Sequence, residues 1–309
     1  MTLHIETPLV LSHPMSAAAG RAIWLKLDAL QPGGSFKMRG VGHACETRRA
    51  QGARRFISSS GGNAGLAVAH AGRQLGVPVT VVIPETSTPR ARELLHREGA
   101  EVIVHGASWQ EANALAQSRI GPSDAFIHPF DDPLLWEGHA TLVDEVRRAG
   151  LKPDAIVLSV GGGGLLSGVI RGLQRHGWDD LPVVAVETVG TASLHAALAA
   201  GHAVELPRVT GVATSLGARR VCEQALRGAR EHPVRSAVVS DAQAVSACER
   251  FLDDHRILVE PACGASLALA CAPVPELAGC DTVLVIVCGG ATCTVEQLRA
   301  WSRDLPADR

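Results

Sequence analysis

Tyrosine is absent from this chain of 309 residues, and all aromatic residues together make up 3% of it. No phenol is therefore available as an acid, a base or a ring partner. An excess of one charge is missing too: 29 basic residues stand against 31 acidic ones, a formal net charge of -2, and no basic run exceeds two arginines. Nucleic-acid binding needs a strongly basic face, so nothing points to that partner. No apolar stretch reaches membrane-spanning length. The opening "MTLHIETPLVLSHP" lacks the basic start and long apolar centre of a secretory leader. No membrane partner and a cytoplasmic location are the expectation. The eight cysteines contain no C-x-x-C pair, which leaves a zinc or dithiol motif without support. Most sit in apolar runs, as small buried hydrophobes do in a reducing compartment. His70, His128, His139 and His195 have no metal-ligand spacing and are read as structural.

What is present is a core-forming composition, 46% hydrophobic, with strand-like and helix-like segments in alternation. "FISSS" (56–60), "VPVTVVIP" (77–84), "AEVIVHG" (100–106) and "AFIHP" (125–129) read as strands, and "GLAVAHAGRQLG" and "ASWQEANALAQSR" carry apolar residues at helical spacing. A second series holds "AIVLSV" (155–160), "PVVAVE" (182–187) and "TVLVIVCGG" (282–290). Such alternation predicts an α/β chain of two lobes, each a largely parallel sheet covered by helices. "FDDPLLWEGHA" (130–140) is the expected crossing between them.

Three glycine-rich loops interrupt this pattern. In "AIVLSVGGGGLLSGVIRGLQ" a strand runs through Gly161, Gly162, Gly163 and Gly164 into a helix. Backbone amides at such a turn, with the positive end of the helix dipole, suit a phosphate. The dinucleotide pattern G-x-G-x-x-G/A fails in every register. From Gly161 it ends on Leu166, from Gly162 on Ser167, and from Gly163 its third position is Leu165. Glu187 at the end of the next strand is the one feature that keeps a nicotinamide reading in view. In "FISSSGGNAGLAVAHAG", Ser60, Gly61, Gly62, Asn63 and Ala64 form a nest suited to a carboxylate. Asn63 reads equally as a helix N-cap or as a ligand. The third loop, "VIVCGGATC", ends a buried strand in Cys288. A lysine, Lys37, stands behind a glycine turn in "ALQPGGSFKMRG".

Together these segments resemble the fold-type II enzymes that depend on pyridoxal 5'-phosphate (the tryptophan synthase β-like fold). The likeness is to the L-serine/L-threonine dehydratase family and its liver-type serine dehydratase branch. "SFKMRG" resembles that family's Schiff-base segment, "SSGGNAG" its substrate loop, "GGGGLLSG" its phosphate loop and "VCGG" its pyridine-nitrogen site. "PFDDPLLWEGHA" and "LVEPACGASLAL" are similar to segments of the same branch. The resemblance spans nearly the whole chain in the right order. It implies a large cofactor-binding lobe of residues 1–38 and 136–309 and a small lobe of residues 39–135. A homodimer is also implied.

By this resemblance Lys37 carries the cofactor and then serves as the base on the Cα proton. Phe36 packs against the cofactor ring, Asn63 bonds its 3-hydroxyl, Gly161, Gly162, Gly163, Gly164 and Leu165 hold its phosphate, and Cys288 faces its pyridine nitrogen. The nest of Ser60, Gly61, Gly62, Asn63 and Ala64 takes the carboxylate of a small amino-acid substrate. Glu187, with Gly161, Thr191, Ser193, Leu216 and Ala218, corresponds to a monovalent-cation site, potassium being the expected ion. The implied reaction is β-elimination: L-serine to pyruvate and ammonia, with L-threonine to 2-oxobutanoate beside it. Ala64 stands where many threonine deaminases and serine racemases have histidine and β-replacement enzymes have threonine. Gly61 departs from the alanine of some branch members, which leaves rate and preference open. A threonine-preferring dehydratase, a racemase or β-replacement enzyme, and a cofactor-binding scaffold without turnover remain alternatives. The chain ends soon after Gly290, so no C-terminal regulatory domain is expected.

Overall fold

The computed structural model describes residues 2–306; the ends of the expected large lobe, residue 1 and residues 307–309, lie outside the described residues. The chain opens with β1 (Leu9–Leu11), α1 (His13–Ala19) and β2 (Ala22–Lys26). Helix α2 (Lys37–Ala50) leads to β3 (Arg55–Ser58), α3 (Asn63–Leu75), β4 (Val79–Ile83), α4 (Pro89–Arg97), β5 (Glu101–Val104), α5 (Trp109–Ser118) and β6 (Asp124–Phe126). Helix α6 (Pro133–Arg148) leads on to β7 (Ala155–Ser159), α7 (Gly164–Arg175), β8 (Val183–Thr188), α8 (Ser193–Ala200), α9 (Glu223–Glu231) and β9 (Val234–Val239). The chain closes with α10 (Asp241–His255), α11 (Pro261–Cys271), β10 (Thr282–Ile286) and α12 (Val295–Asp304).

Two sheets result. One has six strands in the order β1-β2-β10-β7-β8-β9, and the other has four in the order β5-β4-β3-β6. Every pairing is parallel except β1 with β2. Strands β4 and β7 are buried along their whole length, as parallel strands covered on both faces must be. Each sheet has its own apolar core: Ile23, Leu25, Val157 and Val285 lie in the larger one, and Phe56, Val68, Val81 and Leu95 in the smaller. No helix among the described residues is long and apolar enough to cross a membrane.

All seven strands read from the sequence are present, six of them shorter and β8 shifted by one residue at the same length. "FISSS" leaves the sheet after Ser58, and "AFIHP" after Phe126. Strands β1, β2 and β9 were not legible in the pattern. β2 ends in a lysine that is buried, and β9 ("VRSAVV") is an edge strand whose Arg235 reaches solvent. The strand order also positions the loops. β2, β10 and β7 are neighbours at the centre of the larger sheet, so the segments that follow them converge at one edge. Carboxyl ends of parallel strands are where open α/β sheets bind ligands. Those three segments carry Lys37, Cys288 and the run of glycines.

Candidate active site

Lys37 is the first residue of α2. Gly33 and Gly34 before it have φ of +79° and +77°, so the turn that presents the lysine needs residues without a Cβ. The same turn is stitched to the end of β10: Phe36 N donates to the Cys288 carbonyl at 3.0 Å, and Ser35 bridges Gly289. Lys37 Nζ donates to the Pro129 carbonyl at 2.6 Å and lies 5.1 Å from the centroid of the Phe36 ring. Withdrawal from water pushes the amine down to about 8, against the opposing pull of Cys288, Glu260 and Cys222. A lysine so shifted has an appreciable neutral fraction near physiological pH.

Across from it, the loop after β3 turns sharply into α3. A Cβ on Gly65 would lie 1.7 Å from the Ser60 carbonyl, so only glycine allows that turn. The N-cap of α3 is Gly62, and Asn63 is the first helical residue. The capping role considered for Asn63 is therefore not the one it plays. Its side chain points out of the helix, with Nδ2 donating to Glu260 Oε1 at 2.8 Å and Oδ1 accepting from Ala291 N at 3.0 Å. Gly62 N donates to Ser60 Oγ at 3.3 Å. The amides of Gly61, Asn63 and Ala64 find no protein acceptor among the described residues, which leaves them available to an anion.

The glycine run follows β7 and opens α7. Gly163 has φ of +92°. A Cβ on Gly162 would strike the Phe130 ring at 2.3 Å, and one on Gly163 would strike Ala225 at 2.3 Å. Backbone takes the place of side chains throughout, and the amides from Gly161 to Leu165 have no protein acceptor among the described residues. An anion at this helix N-terminus meets several N–H groups and the positive dipole end together.

Cys288 is buried behind the lysine turn. Its thiol is pushed well up by a hydrogen bond with Cys263 and by burial, so it stays neutral. Glu187, fully buried, accepts from Leu194 N and His195 N, each at 2.8 Å, at the start of α8. Burial raises its carboxyl to about 7, while the amides of Leu194, His195 and Ser193 pull it back. In the same turn Thr191 O accepts from Ser193 N at 2.8 Å, and Ser193 Oγ is buried without a partner. Gly161 packs on the backbone of Leu216, whose carbonyl accepts from Ala218 N at 2.8 Å. The carboxylate, the carbonyl oxygens and the orphaned hydroxyl are oxygens of the kind hard cations take.

Sequence reasoning assigned no role to three residues found here. Glu260 touches Asn63 and the edge of the third loop. His128, held by N–H groups of Phe130 and Asp131 on Nδ1, is driven down to about 4 by burial and by Lys37. His139 lies 5.0 Å from the Phe36 ring, buried and held neutral, first by burial and then by Lys37. The signal was there for the glutamate, within "LVEPACGASLAL"; the histidines gave none. His70 lies elsewhere, against Glu98, and the His195 ring turns to Ser236 while its amide serves Glu187.

Comparison with known proteins fits this geometry. The human protein named L-serine dehydratase/L-threonine deaminase is 49% identical over 98% of this chain and 96% of its own length. The L-serine dehydratase of Dictyostelium discoideum is 43% identical, with 98% and 93% covered. The crystal structure of a fungal L-serine ammonia-lyase from Rhizomucor miehei superposes with a TM-score of 0.93 at 34% identity, over 98% of this chain and 99% of that one. The family model described as pyridoxal-phosphate dependent enzyme matches residues 1–289. With that match extending over both sheets, the lysine turn, the nest, the glycine run and the third loop as far as Gly289, the chain belongs to the family of pyridoxal-phosphate dependent enzymes.

Proposed function

We propose that this enzyme is an ammonia-lyase that converts L-serine to pyruvate and ammonia, and L-threonine to 2-oxobutanoate by the same steps. The observation that carries the reading is Lys37. It is a buried amine pushed down to about 8, and the nest before α3 and the glycine cradle before α7 both present amides without a protein acceptor among the described residues. The residues fit pyridoxal phosphate: the free amides at Gly161 to Leu165 would hold its phosphate, Asn63 would donate to its 3-oxygen, Cys288 would meet its pyridine nitrogen and Phe36 would pack on its ring. When bound, the cofactor supplies an aldehyde and an electron sink for the bond that breaks at Cα.

The chain's own residues supply the rest. The amides of Gly61, Asn63 and Ala64 bind the substrate carboxylate and fix which Cα bond faces Lys37. The neutral amine of Lys37 takes the Cα proton. The neutral thiol of Cys288 would offer the ring nitrogen no charge, which would favour loss of the β-hydroxyl. Water lost across Cα and Cβ is regained when the released enamine tautomerises and hydrolyses. We assign a monovalent cation, potassium, to Glu187 with Gly161, Thr191, Ser193, Leu216 and Ala218, and a small lobe to residues 39–135; the lone buried hydroxyl of Ser193 supports the first.

The test is a visible absorption spectrum before and after L-serine, with pyruvate assayed in the same cuvette. A yellow band that shifts while pyruvate accumulates is the expected result. A band without pyruvate removes the serine reading and leaves a threonine-preferring dehydratase, a racemase or a scaffold. Lys37→Ala removes band and turnover together while leaving far-ultraviolet circular dichroism unchanged.

A further inference from the structure

Glu260 has no part in the steps above, yet the chain is built around it. It stands at the N-cap of α11 but makes no capping bond to that helix. Glutamate is not among the residues preferred at an N-cap. The side chain turns instead toward the cleft, where it is 6% exposed. Oε1 accepts from Asn63 Nδ2 at 2.8 Å, Oε2 accepts from Thr292 Oγ1 at 3.4 Å, and the Ser215 hydroxyl also donates to it. Gly290 has φ of +136°, and a Cβ there would lie 2.2 Å from Glu260 Cδ, so the turn after Cys288 leaves room for this carboxylate only as glycine.

Asn63 is thus held at both ends by the larger lobe: Nδ2 by Glu260 and Oδ1 by the amide of Ala291. Turning the amide over would set its oxygen against a carboxylate and its nitrogen against an N–H, and both bonds would be lost. A primary amide has two N–H donors. One is committed to Glu260, and the other meets only the Ser215 hydroxyl at 3.5 Å, a long contact that a nearer acceptor displaces. We propose that Glu260 is the positioning residue that fixes Asn63 as a hydrogen-bond donor toward the 3-oxygen of pyridoxal phosphate. By the same bond it holds the loop of α3 in register with the larger lobe. This inference rests on the functional reading given above for Asn63.

The test is a double-mutant cycle on cofactor affinity. The apoprotein is titrated with pyridoxal phosphate by quenching of tryptophan fluorescence, and the visible band of the loaded protein is recorded. Glu260→Gln keeps the size but can offer Asn63 an N–H as readily as an oxygen, which leaves the amide of Ala291 alone to set the orientation. It should weaken affinity about tenfold, the worth of one oriented hydrogen bond, and shift the band. Asn63→Ala should do the same, and the double variant should be no worse than Asn63→Ala alone. Additive losses, or an unchanged affinity and band in Glu260→Gln, overturn the inference while leaving the lyase reading intact. Wild-type protein that takes up no pyridoxal phosphate overturns both. Should Glu260→Gln fail to fold, Glu260→Asp, which withdraws the charge from Asn63 without removing it, carries the same cycle and is judged by the same outcomes.

Discussion

Arg39 and Glu145 meet as a fork on a fork, Nη1 to Oε1 at 2.5 Å and Nη2 to Oε2 at 2.8 Å, in the interior where α2 lies on α6. The same guanidinium binds both oxygens of Asp28, and Lys26 Nζ reaches Glu145 at 2.5 Å. Two cations and two carboxylates therefore neutralise one another out of water, two residues beyond Lys37. Burial alone would raise Glu145, but Arg39 and Lys26 hold it below the ordinary carboxylate range.

Such a cluster tolerates no missing partner. Arg39→Met leaves Asp28 and Glu145 buried without their shared cation, at a cost of about 3–5 kcal/mol. Urea denaturation of the apoprotein measures it. A loss below about 1 kcal/mol would mean that water enters the cluster and that α2 is held by its apolar face alone.

The depressed amine of Lys37 makes a pH prediction with a definite sign. Because its folded value is lowered to about 8 from the ordinary 10.5, the neutral fraction falls about tenfold for each unit below that point. The rate at which apoprotein captures pyridoxal phosphate should rise with pH and level off near 8. Stopped-flow absorbance follows it directly. A rate still climbing toward 10.5 would show that Lys37 is solvated and that burial does not activate it.

The parts of this site legible in the sequence are the ones written in consecutive residues. Lys37 behind its glycines, Asn63 in its nest and the run from Gly161 to Gly164 each form a local motif. Glu260 could be quoted but not interpreted, because its role depends on Asn63, 197 positions away. Arg39 and Lys26 drew no reading, since a charge gives no local sign of being paired in the interior. β9 was missed for a related reason: an edge strand half in water has too little apolar signal to separate from a loop.

At Gly61 the branch's occasional alanine can be tested directly. A Cβ there would lie 2.9 Å from Ser87 Oγ and 3.3 Å from Ile83 Cγ2. The hydroxyl can rotate away, so Gly61→Ala should cost about 1 kcal/mol or less in stability. The added methyl narrows the space beside the carboxylate nest. It should lower kcat/KM for threonine, which carries one more methyl than serine, by about tenfold relative to serine. An unchanged ratio would place the specificity of the enzyme elsewhere in the cleft.

Glu187 provides the test of the cation. Its folded value, raised by burial to about 7 from 4.5, means that without a cation its contribution to stability is fully present below 4.5 and is lost as pH rises through 7. A cation binds only the ionised carboxylate, so it restores stability where the burden is greatest. Potassium should therefore raise the melting temperature more at one pH unit above 7 than at one unit below it. In Glu187→Gln, which keeps an acceptor for only some of the α8 amides and carries no charge, the potassium effect should vanish at both. Equal stabilisation of wild type and variant would mean that potassium acts as a general salt and that this carboxyl serves only to hold the start of α8.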